Sequence, residues 1–117
     1  MLLHIISRDE LAAARATGQI APPSLDAEGF VHCSYPEQVL VPANERFRGR
    51  EDLVLLSLSS DRIPALLVVE DSYGSGTSFP HVYGPIPVDA IEAVIEFPAE
   101  PDGTFVLPPR IRAESEE

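Results

Sequence analysis

The 117-residue chain holds a single cysteine, Cys33, so it cannot form an internal disulfide, and nothing in its covalent chemistry asks for an oxidising compartment. A cytoplasmic protein fits this best. Positive charge is also scarce: eight Lys and Arg stand against nineteen Asp and Glu, a formal net charge of −11 with the histidines neutral. The mean field of such a protein repels a nucleic-acid duplex or an anionic membrane, so neither is expected as its main partner, and a small-molecule ligand is compatible with it. Long hydrophobic runs are missing too. The opening MLLHIISRDE has no basic leader and too few apolar residues for a signal peptide or a membrane span. No repeat and no domain boundary interrupts the sequence. One α+β domain over 1–112 is expected, large enough to hide roughly two thirds of its unfolded surface, followed by an acidic, disordered tail over 113–117.

What is present reads first as short elements. LLHII over 2–6 suits a buried strand, and Ser7 with Glu10 three residues on has the form of a capping box for a helix closed by Gly18. QIAPPSLDAEG reads as a proline-rich connector and FVHCS as a strand. Ser34 and Glu37 repeat the capping-box spacing with Pro36 in the first turn, which predicts a second helix that Pro42 interrupts. From Asp52 onward the runs DLVLLSLS, ALLVVE, FPHVYG and AIEAVIEF predict strands, the last with Ile91, Ala93, Ile95 and Phe97 on one face. TFVL is expected to pair back as a final strand after the turn EPDGT. Helices early and strands late predict an α+β class: two short N-terminal helices with a mostly antiparallel sheet. DSYGSGTS over 71–78 is a small, polar, glycine-bearing stretch expected to be a mobile loop beside a site.

The chain's three histidines, His4, His32 and His81, all fall in predicted strands among apolar residues. A buried histidine needs a hydrogen-bond partner, so they occupy either three separate core positions or one shared polar pocket, and the common setting favours the pocket. Their separations of 28 and 49 residues carry none of the local spacing of metal motifs, and no metal is expected. Cys33 is adjacent to His32, but neighbours on a strand point to opposite faces. His32 therefore goes with Phe30 and Ser34, Cys33 goes with Val31, and the two are not a nucleophile and its base. Arg46, Arg48 and Arg50 in ERFRGRED form a cluster of positive charge, either paired with Glu45, Glu51 and Asp52 or anchoring a ligand's phosphate or carboxylate.

Taken together, LHII, PPSLDAEGFVHCSYPEQV, ANERFRGREDLVLL, FPHVYGPIPVDAI and PDGTFVLP resemble the domain of unknown function 952 family of small bacterial proteins. The resemblance implies a fold similar to ADP-ribosyltransferase domains, with the sheet split around a cleft that holds NAD in true enzymes. It carries over His4 on the first strand, His32 as stacking residue, and Glu70 with His81 as the late acidic position, with Ser34 and Tyr83 beside them as ligand-binding residues. Where those enzymes place a glycine after the first histidine, Ile5 stands here, which favours a binding module over a transferase. NAD, an ADP-ribose-like ligand or another phosphorylated nucleotide is the implied ligand. The alternative is a non-catalytic metabolite-binding or structural module.

Overall fold

LVLLSL at Leu53–Leu58 is buried at every position, as a strand must be when both its faces and both its edges are covered. In the computed structural model, which describes residues 1–115, this strand, β4, is the centre of a three-stranded antiparallel sheet. It lies between β1 (Leu2–Ser7) and β8 (Ile91–Glu96). A second antiparallel sheet has the order β3 (Val31–His32), β6 (Phe79–Val82), β5 (Leu67–Glu70). A small ribbon pairs β2 (Gln19–Ile20) with β7 (Ile86–Pro87). All the named strand pairs are antiparallel, so the α+β class with antiparallel sheets holds. Among the described residues no helix is long and apolar enough to cross a membrane.

Alternation along β1 divides the core between two faces. Leu2 and Ile6 join Val54, Leu56, Val31 and Val82 in one cluster, while Leu3 joins Leu53, Leu55, Ile95 and Phe97 in the other. Phe97 is fully buried, with its ring stacked 4.7 Å from that of Phe105. A register shift between Ser57 and Leu58 sets Leu58 opposite Ile91, and Ile91 packs on the first cluster while Ala93 and Ile95 pack on the second. The predicted single face of Ile91, Ala93, Ile95 and Phe97 is therefore broken at its first residue, because a bulge exchanges the sides of a strand.

Helix α1 (Arg8–Thr17) has the predicted capping box. The Ser7 hydroxyl accepts from the Glu10 amide, Glu10 accepts from the Ser7 amide, and Gly18 closes the helix at φ 88°. Elsewhere the local signals were overridden. The predicted connector contains β2 and a helix, α2 (Pro23–Glu28), with Pro23 at its first position and Gly29 at φ 89° after its end. No helix starts at Ser34, whose backbone is bridged to Leu3; α3 runs Leu40–Arg46 instead. Pro42 accordingly sits in the first turn of α3, where its missing N–H costs nothing, and does not interrupt it. TFVL forms no strand. Phe105 is held instead by Asn44, whose side-chain oxygen accepts from the Phe105 amide at 2.7 Å. A fourth helix, α4 (Pro109–Ser115), adds Ile111 to the second cluster. The acidic tail expected over 113–117 overlaps α4 as far as Ser115 and otherwise lies outside the described residues.

Ser7→Ala removes one side of the capping box, and it should lower the unfolding free energy by about 1 kcal/mol in denaturant titrations without changing the slope.

Candidate functional site

The two larger sheets meet at one antiparallel bridge, where Leu3 and Ser34 exchange backbone hydrogen bonds of 2.8 Å each. A cavity of about 490 Å³ opens beside this seam, within the usual range for small-molecule sites. His4, His32, Ser34 and His81 line it from the sheets, Arg46 lines it from α3, and Tyr73 lines it from the 71–78 segment. The three histidines, far apart in sequence, are thus brought into one cavity.

His4 is buried, and its Nδ1 lies 2.7 Å from the His32 carbonyl oxygen. A carbonyl can only accept, so Nδ1 carries the proton and Nε2 keeps its lone pair. Burial holds the ring below its ordinary value of 6.5, against the raising effects of that hydrogen bond and of Glu10. His4 is therefore a neutral imidazole with one tautomer. Among the described residues no buried side-chain nitrogen or oxygen is left without a partner. Nε2 of His4, which no protein group bonds, is accordingly open to the cavity and not sealed in the core.

His32 and His81 are direct cross-strand partners, their ring centroids 5.6 Å apart, and each carries a carboxylate and a tyrosine. His81 donates from Nδ1 to Glu70 at 2.9 Å, with the Ser72 hydroxyl 3.3 Å from the same nitrogen, and the Tyr83 hydroxyl donates to the same Glu70 oxygen. These bonds leave Nε2 of His81 for the cavity. Phe30 stacks on the His81 ring at 3.9 Å and 15°, fixing its plane. His32 uses the other nitrogen: Nε2 donates to Glu28 at 2.9 Å, and Glu28 also accepts from the Tyr73 hydroxyl. Those bonds hold Glu28 below the ordinary carboxylate value, Tyr73 first and His32 second; Tyr83 and then His81 do the same for Glu70. The 71–78 segment is organised by Asp71, whose carboxylate accepts from the amides of Ser75 and Gly76.

The remaining predicted site residues separate. Of the three arginines only Arg46 lines the cavity, its guanidinium 5.5 Å from the centroid of the Tyr73 ring. Arg50 is committed to Asp52 through two bonds, at 3.0 and 2.6 Å, and the stem of Arg48 packs beside Gly103. Glu70 and Tyr83 stand behind His81 and do not reach the cavity wall. Cys33 borders the cavity but packs in the first core cluster, and burial pushes its thiol up to about 12. Sequence reasoning missed Glu28, Phe30 and Tyr73. Glu28 sits four residues before His32 at the end of a helix that had been read as connector, and Tyr73 is the one aromatic in a run of small polar residues. Both signals were visible once α2 was known.

These features define a small α+β protein whose two antiparallel sheets enclose a histidine-lined cavity. The chain belongs to the family described as Protein of unknown function (DUF952), which matches residues 5–94. It is similar to the protein CC0527 from Caulobacter crescentus. The crystal structure of that protein shares 33% identity over 95% of this chain and 97% of its own, with a TM-score of 0.84. Its solution NMR structure gives 35% identity over 88% and 89%, with a TM-score of 0.76. No curated protein matches the chain.

Two outcomes follow from burial. The Cys33 thiol should react with a mild disulfide reagent only at the rate of unfolding, and fast labelling of the native protein would contradict its placement. For His4, the unfolded ring takes up a proton near 6.5 that the folded ring resists, so the unfolded state binds more protons and stability falls as pH drops below that value. Denaturant titrations from pH 7 to pH 5.5 should show stability falling with pH, and falling less in His4→Gln.

Proposed function

We propose that the cavity binds a small organic ligand of the nucleotide class carrying a single anionic group. The observation that carries this reading is the convergence of three histidines and one arginine on one cavity in a protein of net charge −11. Arg46 is held at the cavity wall beside Tyr73, with which its side chain hydrogen-bonds, and near Glu28, and its planar fork suits a phosphate or carboxylate. His4 Nε2 offers an acceptor for a ligand hydroxyl or amino group. Tyr73 offers an aromatic face beside the cation.

The cleft between two antiparallel sheets is the feature that supports likeness to ADP-ribosyltransferases. Transfer of ADP-ribose is the weaker part of that likeness. Glu70, the carboxylate that would steady a ribose hydroxyl, is engaged by Tyr83 and His81 behind the wall, and Ile5 fills the position after His4. A pyrophosphate also asks for more cation than Arg46 alone supplies, so a monophosphate or cyclic phosphate suits the site better than a dinucleotide.

Titration of the protein with mononucleotides, ADP-ribose and NAD, followed by calorimetry and by the histidine ring signals in NMR, tests the reading. Mononucleotides should bind and shift the signals of His4, His32 and His81. Arg46→Ala should weaken binding by roughly tenfold to a hundredfold, the loss of about 1.5 to 3 kcal/mol for a hydrogen bond to a charged group. Arg48→Ala and Arg50→Ala should leave affinity unchanged. Failure of every nucleotide to bind, or equal affinity in Arg46→Ala, overturns it.

A further inference from the structure

We propose that the cavity cleaves a singly charged phosphodiester of a ribose-type sugar, with His4 as general base and His81 as general acid. This rests on the nucleotide-class reading above and adds a reaction to it. The two histidines are not equivalent to three scattered core residues. In each, Nδ1 is consumed by an acceptor that cannot give a proton back, the His32 carbonyl for His4 and the Glu70 carboxylate for His81, so in each it is Nε2 that is left for the cavity. They also come from different sheets, β1 from one and β6 from the other. An in-line displacement at phosphorus needs this disposition, with one group beside the entering oxygen and another beside the leaving oxygen.

The roles follow from what stands behind each ring. His4 is backed by a neutral carbonyl and buried, which disfavours the cation and leaves a lone pair ready to accept. His81 is backed by a carboxylate that stabilises positive charge on the ring, and Phe30 and Ser72 hold its orientation. His4 Nε2 takes a proton from water as the water oxygen bonds to phosphorus. The bond from phosphorus to the sugar oxygen breaks, and that oxygen receives the Nε2 proton of the His81 imidazolium. The product is a phosphomonoester, and the two histidines return to their starting states by proton exchange with solvent. Arg46 lies in the cavity wall where it can hold the nonbridging oxygens, and the single charge of a diester matches that single cation.

The groups facing these rings are Glu10 and His32 for His4, and Glu70 and His32 for His81, with Tyr83 acting through Glu70 and with Arg46 and Glu45 contributed to the cavity by α3. Burial keeps His4 neutral and able to accept, so protonation of His4 ends activity on the acid side.

The experiment incubates the protein with 2′,3′-cyclic nucleoside monophosphates in the presence of EDTA and follows the monoester by phosphorus NMR, with calorimetry of a mononucleotide run in parallel. Turnover should appear, and His4→Gln and His81→Gln should each lose roughly 10² to 10⁴-fold, the usual weight of one acid or base. Glu70→Gln keeps a hydrogen-bonding partner at Nδ1 but removes the charge behind His81, so kcat should fall roughly tenfold or more while mononucleotide affinity is kept. That variant decides the matter if a histidine variant fails to fold. Mononucleotide binding without turnover overturns the catalytic proposal and leaves the binding reading intact; absence of both overturns both. Turnover undiminished in folded His4→Gln and His81→Gln, or an unchanged kcat in Glu70→Gln, also overturns it.

Discussion

Two backbone hydrogen bonds between Leu3 and Ser34, each 2.8 Å long, join the sheet of β1, β4 and β8 to the sheet of β3, β6 and β5. The site depends on this seam. Because Leu3 is pinned there, its neighbour His4 turns to the other face of β1 and its Nδ1 meets the carbonyl of His32, two residues before Ser34. The seam also decides what Ser34 can do: a residue with a helix-capping sequence around it is held as extended chain, since pairing two otherwise unsatisfied backbone groups in a buried setting outweighs a surface cap. The helix that the capping signal announced therefore starts six residues later, and the delay brings Arg46 to the cavity.

Charge is distributed so that little cation is spare. All eight basic residues are arginines, and several are bound to acceptors: Arg8 to Glu96, Arg50 to Asp52, and Arg62 to the Asp89 carbonyl at 3.2 Å. Such exposed pairs contribute little stability each, but they neutralise charge locally. Arg46 differs in having the Tyr73 ring beside it and in lying at a cavity wall, with Glu28 near enough to feel its charge.

The paired sets Glu28–His32–Tyr73 and Glu70–His81–Tyr83 show how one ladder register creates two different imidazoles. His32 and His81 are opposite each other on adjacent strands, yet one is held through Nε2 at the mouth and the other through Nδ1 from behind. The difference follows from where the carboxylate comes from. Glu28 ends a helix on the same side as the 71–78 segment, whereas Glu70 is on β5, the edge strand beyond His81.

By itself the sequence determined the elements whose signals are local: the Ser7 and Glu10 capping box, the apolar run of β4, and the alternation of β8 from Ala93 onward. It also carried the gathering of three histidines in strands, because a buried imidazole demands a partner wherever it sits. Only the tertiary structure decided which nitrogens those partners occupy, that Glu70 stands behind His81 and not in the cavity, and that Arg46 alone of three neighbouring arginines faces it. Those facts depend on contacts 4, 11 and 28 positions apart across different elements, or on which face of a short helix meets a sheet, and no local pattern encodes them. TFVL shows the same limit. Its composition suits a strand, but the Asn44 side chain, 61 residues away along the chain, satisfies the Phe105 backbone first.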